Sequence, residues 1–99
     1  MRRAARVDGN HAEIVNALRH VGCSVHSTAG MHAGFPDLVV GVAGRNLLIE
    51  CKDGRLPPSA RKLSPLEEAW HAEWRGEVHV ITSIDDALAL VGDVRRGLR

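Results

Sequence analysis

The 99-residue sequence is 44% apolar and 25% charged with a formal net charge of +1, the balance of an ordinary globular protein. A chain this short is read as one domain, residues 1–99, with a modest core, because folding hides only roughly two thirds of its surface. No apolar run approaches the roughly 18 residues of a membrane span. Met1-Arg2-Arg3 leads into mixed polar sequence rather than a secretory signal, so the expectation is a cytoplasmic protein with no membrane partner.

The first predicted element is a helix: Ile14, Val15, Leu18 and Val21 recur at helical spacing between Asn10, which suits an N-cap, and Gly22, which suits a stop. Residues 23–28 suit a short strand, and Ala29-Gly30-Met31-His32-Ala33-Gly34 a loop. Pro36 opens the next strand, where its missing N–H does least harm. Leu38 to Val42 and Leu47 to Ile49 are β-rich runs joined by Ala43-Gly44-Arg45-Asn46, a hairpin signal, and Asp53-Gly54 closes the second. After the extended Leu56-Pro57-Pro58-Ser59, Ser64-Pro65 with Glu67 and Glu68 supplies a cap, a first-position proline and an acidic first turn, predicting a helix to about Arg75. Residues 77–82 predict a strand, and Ser83-Ile84-Asp85-Asp86 caps a last helix ending near Gly92. The order α, β, β, β, α, β, α is that of a mixed α/β domain.

The hairpin carries charges that its apolar runs do not explain. Asp37 opens the first run, while Glu50 and Lys52 close the second. Alternation puts Glu50 and Lys52 on one face and Cys51 on the other, and antiparallel pairing about Gly44 brings Asp37 beside them. Carboxylates are costly to bury unless paired or bound to a cation, and a hard divalent ion such as Mg²⁺ takes one or two carboxylates while keeping places for water and phosphate. Lys52 beside such an ion can position or deprotonate a water and offset developing charge. The alternative is a salt-bridged strand end in which Lys52 neutralises Asp37 and Glu50. Spacing alone leaves these two readings level.

Other polar groups are weaker signals. Arg2, Arg3 and Arg6, then Arg55, Arg61 and Lys62, then Arg95, Arg96 and Arg99 form basic clusters that can meet phosphates or simply sit in solvent. His20, Cys23 and His26 lack the paired motifs of a structural zinc site, and Cys23 and Cys51 are expected as reduced thiols. Cys51 should point into apolar neighbours, where a nucleophilic thiolate is disfavoured. His32 and His11 are surface residues or phosphate and water contacts. Trp70 and Trp74, one turn apart, are expected as core or dimer contacts rather than platforms for bases.

Pro36-Asp37, thirteen residues, then Glu50-Cys51-Lys52 resembles the PD-(D/E)XK nuclease signature. The stretch from Gly34 to Leu88 is similar to the VRR-NUC branch of that superfamily in Gly34-Phe35-Pro36-Asp37, in the Leu63-Ser64-Pro65 helix start leading to Trp70, and in Val78-His79-Val80-Ile81-Thr82-Ser83 followed by Asp85-Asp86-Ala87-Leu88. The resemblance implies a restriction-endonuclease-like αβββαβ core with a mixed central sheet flanked by helices. It also implies a Mg²⁺- or Mn²⁺-dependent phosphodiesterase acting on DNA. In it Asp37, Glu50 and the backbone carbonyl of Cys51 would hold the metal, Lys52 would serve the attacking water, and Glu13 on the first helix would complete the set. Where many members carry glutamine this chain has Glu67, read here as a helix cap in preference to a ligand of a second metal.

Two function classes follow. One is a structure-specific endonuclease for branched DNA such as four-way junctions or flaps, phage-type and therefore working in a host cytoplasm. The other is a DNA-binding module with a nuclease fold that does not cut. Symmetric cutting by so small a domain calls for a homodimer with two sites about a two-fold axis. Arg55, Arg61, Lys62 and His32 would then contact DNA phosphates, selecting shape rather than sequence.

Overall fold

The computed structural model describes residues 8–31 and 33–99; His32 and the Arg2, Arg3 and Arg6 cluster lie outside the described residues. The elements run α1 (His11–His20), β1 (Ser24–Ser27), β2 (Leu38–Val42), β3 (Arg45–Cys51), a short 3₁₀ turn at Pro58–Ala60, α2 (Pro65–Glu73), β4 (Val78–Ile81) and α3 (Ile84–Arg95). This is an α/β fold with one four-stranded mixed sheet in the order β1-β2-β3-β4. β1, β2 and β3 pair antiparallel, while β4 joins β3 in parallel. A parallel neighbour cannot be reached by a tight turn, and α2 is the crossover that makes it reachable.

α1 and α3 cover one face of the sheet. Leu38, Val40, Val42, Leu47, Ile49, Cys51 and Ile81 meet Ile14, Leu18, Ala87, Leu90, Val91 and Val94 there in a single core. The strand burial alternates as the sequence predicts: β2 is buried at Leu38, Val40 and Val42 and half-buried between them. The second face is only partly covered, and Val80 on it is 45% exposed. Among the described residues no helix is long and apolar enough to cross a membrane.

Several boundaries differ from the sequence expectation for physical reasons. The β2–β3 turn is two residues long, not four, because Val42 pairs with Arg45. Ala43 and Gly44 both take positive φ, 50° and 76°, the left-handed pair that matches the twist of a hairpin. β3 therefore gains Arg45 and Asn46. α3 runs past Gly92 to Arg95. A helical glycine costs about 1 kcal/mol relative to alanine, and burial of Val91 and Val94 on either side of Gly92 outweighs it. Gly34 has φ +84°, and a Cβ there would lie 2.6 Å from the Leu66 carbonyl oxygen, so its missing side chain lets the start of α2 close on the hairpin.

Asn10 stands at the N-cap position but caps nothing with its side chain. Instead its Nδ2 donates to the carbonyls of Lys52 and Thr82, both at 3.0 Å. This ties the start of α1 to the ends of β3 and β4, where the charged residues lie. Trp70 and Trp74 are not core residues: α2 buries none of its side chains fully. The two indoles stack at 4.7 Å, and Phe35 meets Trp70 edge-on at 5.1 Å.

A candidate metal centre in an acidic cleft

The β2–β3 register pairs Leu38 with Ile49, and one further step along it sets Asp37 opposite Glu50. Asp37 Oδ2 accepts the Cys51 backbone N–H at 2.8 Å, which fixes its carboxylate across the end of β3. Extended backbone sends the N–H and C=O of one residue to the same edge, so the Cys51 carbonyl faces the Asp37 side. Lys52 alternates to the other edge, its N–H donating to the Ile81 carbonyl at 2.9 Å.

Glu50, Asp37 and Lys52 line one cleft of about 750 Å³ together with Asp8, Gly9, Leu56, Ser59, Ala60, Lys62, Leu63, Ser64, Pro65 and Glu67. The cleft thus sets four carboxylates against two lysines. Lys52 Nζ donates to Glu67 Oε1 at 2.7 Å and lies 3.9 Å from Glu50 Oε2. Glu50 is 1% exposed, and burial, then the hydrogen bond and negative charge of Asp37, push its carboxyl up to about 10. Burial works against the charge on Lys52, but the hydrogen bond to Glu67 and the surrounding carboxylates win and raise its pKa. Burial opposes ionisation of Glu67 as well, yet Lys52 and the Ser64 backbone N–H hold its carboxyl below the usual carboxylate range.

Glu67 therefore does two jobs. It closes a capping box with Ser64, accepting the Ser64 N–H at 2.8 Å while Ser64 Oγ accepts the Glu67 N–H at 3.2 Å. It also carries Lys52. The cap read from sequence is present, and the same carboxylate belongs to the cleft.

Glu13 does not line the cleft. Its side chain is 45% exposed and pairs with Arg55 Nη1 at 3.5 Å. The acid that approaches from the α1 end is Asp8, which the sequence reading missed because it precedes the helix and belongs to no periodic face. Its backbone carbonyl accepts the His11 N–H at 3.0 Å, and burial chiefly, with Asp37 and Glu67 adding, raises its carboxyl.

Of the residues expected at DNA phosphates, Lys62 lines the cleft and Arg61 does not. Arg55 is 66% exposed but engaged, its guanidinium donating to both Asp53 oxygens at 2.9 Å. Arg95 donates to the Val21 carbonyl, and Arg96 and Arg99 pair with Asp93 at 2.9 and 2.8 Å. The C-terminal basic cluster is thereby absorbed in local contacts.

The two thiols are free and buried. Cys51 is not wholly among apolar groups as the sequence suggests, since its Sγ, a His11 ring nitrogen and an Asp37 oxygen lie within 4.8 Å of one another. Burial first, then the Asp37 and Glu50 charges, push its thiol to about 12, far from a nucleophilic thiolate. A sulfur donor does not suit Mg²⁺, whereas the carboxylates of Asp8, Asp37, Glu50 and Glu67 that line the cleft are hard oxygen donors. The cleft set is the one whose chemistry fits a hard divalent ion.

Comparison with protein-family models, with curated proteins and with solved structures gives no match.

Proposed function

We propose that the chain is a Mg²⁺- or Mn²⁺-dependent DNA endonuclease with a restriction-endonuclease-like core, its site resembling the VRR-NUC branch of the PD-(D/E)XK nucleases. The supporting observation is the convergence of Asp37, Glu50 and Lys52 at the end of one hairpin, in a cleft open to solvent and lined by excess carboxylate. A salt-bridged strand end would need Lys52 to neutralise Asp37 and Glu50. Instead the ammonium donates to Glu67 at 2.7 Å and stands 3.9 Å from Glu50, leaving Asp37 and Glu50, among the described residues, without a hydrogen-bonded ammonium of their own.

On this reading Asp37, Glu50 and the Cys51 carbonyl would hold the ion, and Asp8, which lines the same cleft, is a further carboxylate on offer. The bound ion would supply Lewis-acid polarisation of a phosphoryl oxygen and make a water acidic enough to attack at neutral pH. Lys52 donates hydrogen bonds to that water or to the phosphate oxygens, and Glu67 keeps the ammonium aimed. Lys62 meets a neighbouring phosphate. Asn10 holds the backbone of Lys52 in place through its carbonyl. With Arg55, Arg95, Arg96 and Arg99 engaged in contacts of their own, the substrate proposed is branched, a four-way junction or flap bound by shape, and a homodimer supplies two sites about a two-fold axis. A monomeric mass at micromolar concentration contradicts the dimer.

The Lys52–Glu67 pair is also the observation that favours the second reading, a DNA-binding module that does not cut, because a lysine held this closely can serve structure alone. Incubating the purified chain with duplex, single-stranded, flap and four-way DNA in Mg²⁺ or Mn²⁺ separates the two. The nuclease reading expects strand cleavage that EDTA stops and that is fastest on a branched substrate. Salt-sensitive binding with every strand left intact supports the module instead.

A further inference from the structure

We propose that His71 is a positioning residue that holds Glu50 in its metal-binding posture. The inference rests on the reading of the cleft as a metal site and extends it to α2. Nε2 of His71 lies 3.8 Å from Oε1 of Glu50, and the two side chains are 13% and 2% exposed. Both atoms are sealed from solvent and neither has a hydrogen-bond partner. Buried polar atoms are nearly always satisfied, so two orphans facing each other require an explanation.

The division of Glu50 supplies one. Its Oε2 faces Lys52 at 3.9 Å, on the cleft side, while Oε1 faces α2. A carboxylate that gives one oxygen to a metal needs a donor for the other, and His71 Nε2–H is the side-chain donor at hand. A shift of about 1 Å closes the gap to an ordinary hydrogen bond.

α2 is built to present that donor. His71 follows Glu67 by four residues, so both side chains leave the same face of the helix. Glu67 is anchored at its end by the Ser64 capping box and reaches Lys52. His71 is steadied by the edge-on ring of Trp70, 5.8 Å away. One helix face thus serves both charged residues of β3 and its end, Glu67 for Lys52 and His71 for Glu50. Groups that orient a metal-binding carboxylate in this way typically change metal affinity by about 10- to 100-fold when removed.

The test is Mn²⁺ binding to the metal-free full chain, followed by calorimetry, for wild type, His71→Ala, His71→Gln and Asp37→Asn. Wild type should bind and Asp37→Asn should lose most of that binding. His71→Ala should weaken it about 10- to 100-fold, and His71→Gln, whose amide can still donate, should recover to within a few-fold of wild type. Binding by His71→Ala equal to wild type overturns the inference and leaves the cleft reading standing. Failure of wild type to bind, or undiminished binding by Asp37→Asn, overturns the cleft reading and the inference with it. Imidazole ¹⁵N spectra of the wild-type chain avoid any folding defect: Mg²⁺ should fix His71 as the Nε2–H tautomer. A His71 signal unmoved by saturating Mg²⁺ contradicts the proposal.

Discussion

Asp37→Asn lowers DNA cleavage by at least about 10²- to 10³-fold, the loss expected when a group that stabilises transition-state charge is removed. The substitution is nearly isosteric, and the introduced amide oxygen can still accept the Cys51 N–H that Asp37 Oδ2 takes at 2.8 Å. The hairpin should therefore fold unchanged. What disappears is one of the two carboxylates that face each other across β2 and β3, and with it half of the charge that this pair offers the ion. The same change removes a cause of the raised Glu50 carboxyl, namely the hydrogen bond and charge of Asp37. Asp37→Asn should consequently be at least as stable as wild type without metal while losing activity, the trade expected where a site carries repulsion for the sake of its chemistry. Single-turnover cleavage and thermal unfolding of the same preparation check both halves. A variant that cuts at the wild-type rate removes Asp37 from the site.

The second large effect is on stability and depends on pH. Glu50 is pushed up to about 10 in the folded chain from an ordinary value of 4.5. The folded state therefore holds a proton that the unfolded state releases between those values. Stability from this group is fully present below about pH 4.5 and is lost as pH rises toward 10. Glu50→Gln mimics the protonated form and does not titrate, so its advantage over wild type should be absent near pH 4 and grow with pH. Sparing the folded chain the cost of keeping that proton in a poorly satisfied buried group is worth about 1–3 kcal/mol, which for a domain of this size is roughly 5–15 °C in Tm at pH 8–9. Mg²⁺ should reverse the order, stabilising wild type and leaving Glu50→Gln unmoved. Thermal unfolding followed by circular dichroism at pH 5 and pH 9, in EDTA and in Mg²⁺, carries the test. An identical pH slope for the two proteins would mean that Glu50 is ionised without difficulty in the folded chain.

The parts of this site that were legible in the sequence are those governed by strand parity. Glu50 and Lys52 on one face, and Asp37 beside them, follow from alternation and from a hairpin centred on Gly44; a turn two residues shorter than expected left that register intact. The helix order was equally legible, because Ser64-Pro65 and Ser83 announce their helices and both serines accept a capping N–H. The fourth acid was not. Asp8 lines the cleft next to a chain segment that Asn10 ties to the carbonyls of Lys52 and Thr82, contacts 42 and 72 residues away in the chain that no periodicity encodes. Glu13 illustrates the converse: being acidic and on α1 did not bring it to the cleft, and its half-exposed side chain pairs with Arg55 instead. His71 had a usable signal in its four-residue offset from Glu67. That signal acquires meaning only once Glu67 is known to reach Lys52, because read alone the early Glu67 is fully explained as a cap.

The measurement closest to the central claim is the rate at which a labelled four-way junction is cut in Mg²⁺ by wild type and by Lys52→Ala, with bound DNA measured in parallel. Lys52 lies at the junction of Glu50 and Glu67 and donates to the attacking water on this account, so its loss should slow cutting at least about 100-fold while DNA binding changes little. Equal cutting by wild type and Lys52→Ala would contradict the assignment of the cleft.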